Sequence, residues 1–103
     1  MQATLLELTA QTVHAALRRW CPGARRLIVC GGGVRNQRLL ARLGELAAGV
    51  TVESSDRHGI DSQQVEAVAF AWLARQTLRE APGNLPAVTG ARGPRVLGAV
   101  YPP

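Results

Sequence analysis

The sequence predicts an α/β fold with mainly parallel strands and flanking helices, and three observations support this prediction. The short apolar run at residues 27–30 lacks polar alternation, which is typical of a strand buried on both faces. Three glycines follow it directly, and a helical pattern begins just beyond them. A second strand is expected at residues 50–53, so that the two strands and the helix between them form a right-handed parallel βαβ unit.

The composition is typical of a single small globular domain. The chain has 103 residues, of which 47% are hydrophobic and 18% are charged, so we expect a modest core and little disorder. The formal net charge is +5, and the basic side chains are all arginines because the sequence contains no lysine. These arginines are scattered and aromatic residues make up only 4%, which argues against a nucleic-acid partner.

The sequence also predicts a cytoplasmic protein. The N-terminus lacks the basic and apolar segments of a signal peptide, and no apolar run reaches membrane-spanning length, so no membrane partner is expected. Cys21 and Cys30 have neither C-x-x-C spacing nor a neighbouring histidine cluster. Two free thiols in a reducing compartment are therefore favoured over a metal site or a disulfide.

The first predicted helix covers residues 4–20. One face carries apolar residues at spacings of three and four, namely Leu6, Ala10, Val13, Leu17 and Trp20. Thr4 is predicted to be the N-cap, with Glu7 as its capping-box partner. A Pro-Gly pair at positions 22 and 23 ends the helix.

The glycine turn after the first strand is the candidate binding site. Gly31, Gly32 and Gly33 allow a sharp turn and leave no side chain between the backbone and a ligand. Asn36 is predicted to cap the next helix, whose start offers free N–H groups at the ligand-binding edge of the sheet. The pattern is neither G-x-G-x-x-G nor a P-loop. Locally, nucleotide contact and a plain glycine-rich turn both stay open.

The second predicted helix covers residues 36–47 and is amphipathic. Arg35 is near the glycine turn and could reach a phosphate, whereas Arg38 and Arg42 are interpreted as a solvated face. Gly49 is predicted to end this helix. The inner face is formed by leucines, namely Leu39, Leu43 and Leu46.

The loop at residues 54–60 follows the second strand and should lie beside the glycine turn. Asp56 and His58 could touch a ligand there, but such residues are more often turn formers. A third helix is predicted to start at Asp61, with Gln64 as its capping-box partner.

The third helix is apolar on nearly all sides, which is typical of a helix buried between layers. Glu66 interrupts the apolar run at residues 65–74, and its pattern leaves two interpretations open: a bond to the glycine loop or a surface carboxylate. The following stretch, residues 81–94, contains three prolines and three glycines and is predicted to be an ordered loop. Residues 96–101 are predicted to form a last strand.

Four stretches taken together resemble one known family. They are residues 27–36, 65–74, 82–91 and 96–102, and in this order they resemble the C-terminal portion of the anhydro-N-acetylmuramic acid kinases. That family belongs to the sugar kinase, Hsp70 and actin superfamily. The resemblance therefore implies an actin-like, ribonuclease H-like ATPase fold, of which residues 1–103 would be a single partial domain on the ATP side.

The resemblance also implies an activity. Such a kinase converts 1,6-anhydro-N-acetylmuramic acid, ATP and water to N-acetylmuramic acid 6-phosphate in peptidoglycan recycling, and Mg²⁺ is expected to accompany the ATP. The adenosine motif of the superfamily corresponds here to Gly31, Gly32, Gly33 and Asn36. The phosphate-binding loop and the catalytic aspartate lie in N-terminal segments of the family, so no catalytic or metal-binding residue is assigned in this sequence.

We therefore expect these residues alone to be inactive. Phosphoryl transfer requires the nucleophile, the metal and the γ-phosphate to be positioned together. The expected partners are ATP, the anhydro sugar and an N-terminal kinase half, and an apolar domain-facing side favours a homo-oligomer. The alternative is a stand-alone α/β nucleotide-binding or oligomerising module without catalysis. Nucleotide binding without turnover by a monodisperse chain would favour that alternative.

Overall fold

The computed structural model describes residues 2–102, which form two compact units. The first unit extends to Val65 and contains the sheet and the glycine turn, and the second begins at Glu66. None of the helices in the described residues is long and apolar enough to cross a membrane. The helices and strands are α1 (Gln2–Trp20), β1 (Arg26–Val29), α2 (Gln37–Leu46), β2 (Thr51–Ser54), α3 (Val65–Leu78) and α4 (Pro86–Thr89).

The two strands of the first unit confirm the predicted parallel α/β arrangement. They pair in parallel, with Arg26 opposite Thr51 and Val29 opposite Ser54. The prediction that the first strand is buried on both faces is wrong for this chain. Burial alternates along β1 and Ile28 is 49% exposed, because successive side chains point to opposite faces and this chain covers only one of them.

The core of the first unit lies where α1 packs on α2. Its buried apolar residues are Ala10, Leu43 and Ala47. Trp20 does not belong to it, contrary to the predicted apolar face, because the residue is 72% exposed and the centre of its ring lies 4.8 Å from Cζ of Arg19. The core is therefore small and consists mainly of two helix faces.

Two polar assignments on these helices were wrong. Helix α1 begins at Gln2, so Thr4 lies inside it rather than at its N-cap. The Glu7 carboxylate accepts hydrogen bonds from Nε and Nη2 of Arg42, both at 2.8 Å, instead of closing a capping box. Arg42 is partly exposed, but it does more than cover a solvated face, because its planar guanidinium connects α2 to α1.

Helix α2 agrees with its predicted bounds to within one residue at each end. Asn36 caps it as predicted, since Asn36 Oδ1 accepts a hydrogen bond from the Leu39 N–H at 3.1 Å. The helix ends at Leu46, with Ala47 as its C-cap. Gly49 lies two residues further on, at φ +86°, in the turn that leads to β2.

Helix α3 starts four residues later than predicted. Asp61 Oδ1 accepts a hydrogen bond from the Gln63 N–H at 2.8 Å, and the Asp61 carbonyl accepts one from the Gln64 N–H at 2.9 Å. Residues 61–64 therefore form a turn, and the predicted capping box is absent from it. The predicted burial of α3 is also wrong within the second unit, where its exposed apolar residues are Val68, Phe70, Trp72 and Leu78.

The stretch after α3 is held by hydrogen bonds, as predicted for an ordered loop, but it also contains the short helix α4, which was not predicted. Asn84 Nδ2 donates to the Gly93 carbonyl at 3.1 Å, and Asn84 Oδ1 accepts from the Arg95 N–H at 2.7 Å. The predicted last strand is not formed. The Leu97 carbonyl instead accepts a hydrogen bond from the Thr77 hydroxyl, and Gly98 at φ +85° interrupts any extended run.

Candidate functional site

Gly31 gives the glycine turn its shape. Its backbone has φ +74° and ψ −167°, a region that essentially only glycine occupies. The next four residues, Gly32–Arg35, form one 3-10 turn that leads to the Asn36 cap. The sharp turn predicted from the glycines is therefore present at the carboxyl end of β1.

The surface of the turn is open. A β-carbon placed on Gly31 or Gly32 would meet no atom of the described chain within 4 Å, and one on Gly33 would be 3.8 Å from Leu39 Cδ2, an ordinary contact. Packing within this chain therefore does not require glycine at positions 32 and 33. Their missing side chains leave room for another molecule or segment against the backbone.

Asn36 borders a shallow groove between the starts of α1 and α2. The groove has a volume of about 420 Å³. Because Asn36 Oδ1 is used for the helix cap, only its Nδ2 group remains to donate to a ligand. The groove is lined by Ala3, Leu5, Leu6, Thr9, Asn36, Arg38 and Leu39.

A turn after β2 binds the glycine turn directly. The Gly31 N–H donates to the Ser62 carbonyl at 2.6 Å, and Gln63 Nε2 donates to the Gly31 carbonyl at 2.9 Å. Sequence reasoning missed both residues. Their contacts join positions more than 30 residues apart, and the only sequence signal was the expected meeting of both loops at one edge of the sheet.

Both oxygens of the Asp56 carboxylate are hydrogen-bonded to neighbouring residues of this chain. Asp56 Oδ2 accepts from the Ser54 hydroxyl, and Asp56 Oδ1 accepts from the Ser62 N–H at 2.8 Å. These bonds, first the one from Ser54, hold the pKa of the Asp56 carboxyl below its usual value. His58 Nε2 lies 3.0 Å from Glu53 Oε1. Both sequence candidates therefore act as turn formers in this structure.

The remaining candidates are exposed, each within its own unit. Arg35 is exposed at the end of the 3-10 turn, and Glu66 is exposed in the first turn of α3. Within residues 2–102 no group of three His, Cys, Asp or Glu side chains could hold a metal ion. Cys21 and Cys30 are free thiols, and both are exposed.

A second groove lies at the other end of the sheet. It has a volume of about 480 Å³ and is formed by the ends of α1 and α2. The polar side chains of His14 and Arg18 line this groove, and Cys21 lines it as well. In open α/β sheets ligands bind at the carboxyl ends of the strands, so the glycine turn is the better candidate site.

Comparison with known proteins decides the family. The anhydro-N-acetylmuramic acid kinase family profile matches residues 1–103. The chain belongs to this family. A relative named anhydro-N-acetylmuramic acid kinase from Xanthomonas campestris pv. campestris is 63% identical over 102 residues. Relatives of the same name from Xanthomonas oryzae pv. oryzae and Cupriavidus metallidurans are 60% and 53% identical.

The chain is much shorter than these anhydro-N-acetylmuramic acid kinases. Each match covers 99% of this chain but only 27% of the relative. The family inferred from the four sequence stretches is thus confirmed. The matches do not place the stretch at the C-terminal end of the relatives, and they do not test the nucleotide role of Gly31, Gly32, Gly33 and Asn36, so both remain predictions.

Proposed function

We propose that this chain is the ATP-side part of a longer anhydro-N-acetylmuramic acid kinase, and that its glycine turn holds the nucleotide. The observation that carries the proposal is the open backbone at Gly31 and Gly32, directly before a capped helix start. Exposed backbone and the positive end of a helix dipole are features that bind phosphate-containing ligands. Membership of a kinase family makes ATP the expected ligand.

We infer the substrates of the longer protein from the names of its relatives and from the chemistry of phosphoryl transfer. Water opens the anhydro bond of 1,6-anhydro-N-acetylmuramic acid at C1, and ATP gives its γ-phosphoryl group to O6, which leaves N-acetylmuramic acid 6-phosphate and ADP. Within this chain, Gly32 and Gly33 would let the nucleotide lie against the backbone. Asn36 Nδ2 would donate a hydrogen bond to it.

We propose that residues 1–103 do not catalyse this reaction alone. The Asp56 carboxylate, the acidic group of the loop after β2, accepts hydrogen bonds from Ser54 and Ser62, and none of the residues at the glycine turn is a carboxylate that could activate a nucleophile there. Chemistry therefore needs groups from the rest of the longer protein. Anhydro-sugar-dependent ADP formation by the pure 103-residue chain would contradict this proposal.

We further propose that the chain corresponds to the C-terminal portion of these kinases. The order of the four stretches supports this, because the family's phosphate-binding loop and catalytic aspartate precede a stretch of this kind. The other placement is the N-terminal 27% of the relatives. Sequencing the natural gene product distinguishes the two, since the first requires a long segment before residue 1 and the second a long segment after residue 103.

Two further properties, the fold of the longer protein and its location, complete the proposal. The two-stranded parallel sheet with its helices is consistent with an actin-like domain, of which we propose both compact units to be part. A cytoplasmic location is proposed because ATP is the expected phosphoryl donor and both cysteines are free. Fractionation of cells that make the natural protein tests this location.

The nucleotide site is tested by filling the open surface. Gly32→Val in the natural protein should weaken ADP binding at least about tenfold in titration calorimetry, because the added side chain lies where the nucleotide approaches the backbone. Gly44→Ala is the matched control, since Gly44 is an exposed glycine of α2 with equally free space around it. Unchanged ADP affinity in the Gly32 variant would refute the site.

The alternative remains a nucleotide-binding or oligomerising module without catalysis. The exposed apolar residues of α3 are what favours it, since such a surface also suits self-association. A natural gene product of only 103 residues that binds ADP and shows no kinase activity would support this alternative.

A further inference from the structure

Both backbone polar groups of Gly31 are held by one neighbouring turn. Its N–H donates to the Ser62 carbonyl at 2.6 Å, and its carbonyl accepts from Gln63 Nε2 at 2.9 Å. The Gly31 carbonyl also accepts a hydrogen bond from the Val34 N–H at 3.2 Å, and this bond starts the 3-10 turn. Any movement of residues 62 and 63 would therefore change the path of the glycine turn.

The position of the turn that contains Ser62 and Gln63 depends in turn on Asp56. Ser62 is 6% exposed, and its N–H donates to Asp56 Oδ1 at 2.8 Å. The Ser54 hydroxyl donates to the second oxygen of the same carboxylate, which fixes its orientation. A charged acceptor makes a stronger hydrogen bond than a neutral one, and a buried N–H without a partner is costly.

We propose that Asp56 is a positioning residue for nucleotide binding, because it holds Ser62 and thereby fixes the backbone of Gly31. The inference rests on the proposed nucleotide role of the glycine turn. Asp56 touches neither the proposed nucleotide surface nor a reacting atom. It acts through two successive hydrogen bonds, from the Asp56 carboxylate to the Ser62 N–H and from the Ser62 carbonyl to the Gly31 N–H.

The conservative variant Asp56→Asn separates position from charge. The amide oxygen of asparagine still accepts from the Ser62 N–H, and its NH₂ group can donate to the Ser54 hydroxyl. Asp56→Ala removes both bonds. If the role is positioning, the asparagine variant should recover most of the binding that the alanine variant loses.

The matched control is Glu53→Ala. Glu53 lies on β2, just before the same loop, and its carboxylate pairs with His58 and Arg57 rather than with Ser62. Its removal takes away one negative charge near the loop without breaking the connection to Gly31. It therefore reports the effect of local charge and of loop destabilisation by itself.

The experiment uses the natural protein and measures the Kd of ADP by calorimetry, the KM values of both substrates and the melting temperature. Asp56→Ala should raise the Kd of ADP and the KM of ATP about tenfold, as the loss of a charge-assisted hydrogen bond predicts. The KM of the sugar and kcat should each change less than about threefold, because neither depends on the position of the glycine turn. The melting temperature should fall no more than in Glu53→Ala.

The outcomes separate this inference from the proposed function. If Gly32→Val weakens ADP binding but Asp56→Ala changes it less than about twofold, the positioning role is refuted and the nucleotide site stands. If both variants bind ADP normally, the nucleotide site itself is wrong. Equal increases in both KM values, or no recovery in Asp56→Asn, would assign Asp56 a general structural role and overturn the inference.

Discussion

Gly31 and Gly32 are adjacent glycines with different reasons to be glycine. Gly31 has φ +74°, so an alanine there would be strained whatever space surrounds it. Gly32 has no such backbone restriction and no neighbour within 4 Å of an added β-carbon. The first residue is therefore required by folding, and the second is available for function.

This difference predicts a loss of stability in one alanine variant and little change in the other. Gly31→Ala should destabilise the protein by about 1–3 kcal/mol, the usual cost of a residue held in a disfavoured backbone region. Gly32→Ala should leave the melting temperature of the natural protein nearly unchanged. Thermal unfolding followed by circular dichroism measures both, and a similar loss in the two variants would contradict the argument.

One residue-scale prediction succeeded because its cause was local, and two others failed because their causes were not. Asn36 was identified correctly as a cap because its partner, the Leu39 N–H, is three residues away. Glu7 and Arg42 were misassigned because their bond joins two helices, 35 residues apart in sequence. Gln63 was missed for the same reason, since its contact with Gly31 depends on how two loops meet.

At the scale of elements, helix α2 contains a glycine whose lack of a side chain is not required by the structure. Gly44 lies inside the helix, is exposed and has no atom near an added β-carbon. Gly44→Ala should therefore stabilise the protein by about 0.5–1 kcal/mol through higher helix propensity. Gly49→Ala, at φ +86°, is the contrasting variant and should destabilise. Melting temperatures that move in the same direction would refute this prediction.

The contact between α1 and α2 has a predictable dependence on pH. The hydrogen bonds from Arg42, with help from Gln11, lower the pKa of Glu7 to about 2 from its ordinary value of 4.5. Because the pKa is lower in the folded state, the stabilisation is complete above about pH 4.5 and is lost as the pH falls towards 2. Melting temperatures of the natural protein between pH 6 and pH 2.5 should show this loss.

Glu7→Gln provides the control for this titration. The variant should melt lower than the natural protein at pH 6, and the two curves should converge towards pH 2, the lower limit of the Glu7 titration. Salt should reduce the difference, because the side chains of Arg42 and Glu7 are 34% and 43% exposed. A difference that is constant with pH would show that the carboxylate charge is not responsible.

Elements with strong local signals were predictable, whereas elements defined by distant partners were not. The strand, glycine turn, helix and second strand were found in order because each has its own pattern of apolar residues and glycines. The start of α3 was misjudged because Asp61 serves a turn instead of a helix cap. The last strand failed because Leu97 is bound by Thr77 rather than by a neighbouring strand.

At the scale of the whole molecule, apolar surface exceeds what this chain can bury. Within residues 3–102 only three apolar residues are buried, and Phe70 of α3 is 69% exposed. The chain spans 27% of the length of its relatives, so a much longer polypeptide is available in the family to cover such surface. Burial of α3 was predicted from its composition, but Val68, Phe70, Trp72 and Leu78 of this helix are exposed here, because composition indicates an apolar helix without showing which segment would cover it.

This surplus predicts the behaviour of residues 1–103 produced alone. The chain should self-associate at micromolar concentration in sedimentation velocity, because association removes the exposed apolar side chains of α3 from water. Phe70→Glu should shift the distribution towards monomer. Arg79→Ser is the matched control, since it also lowers the net charge by one at an exposed position after α3 and leaves the apolar surface intact. If residues 1–103 without substitution are monomeric, or if both variants shift the sedimentation distribution equally, the α3 surface does not drive association.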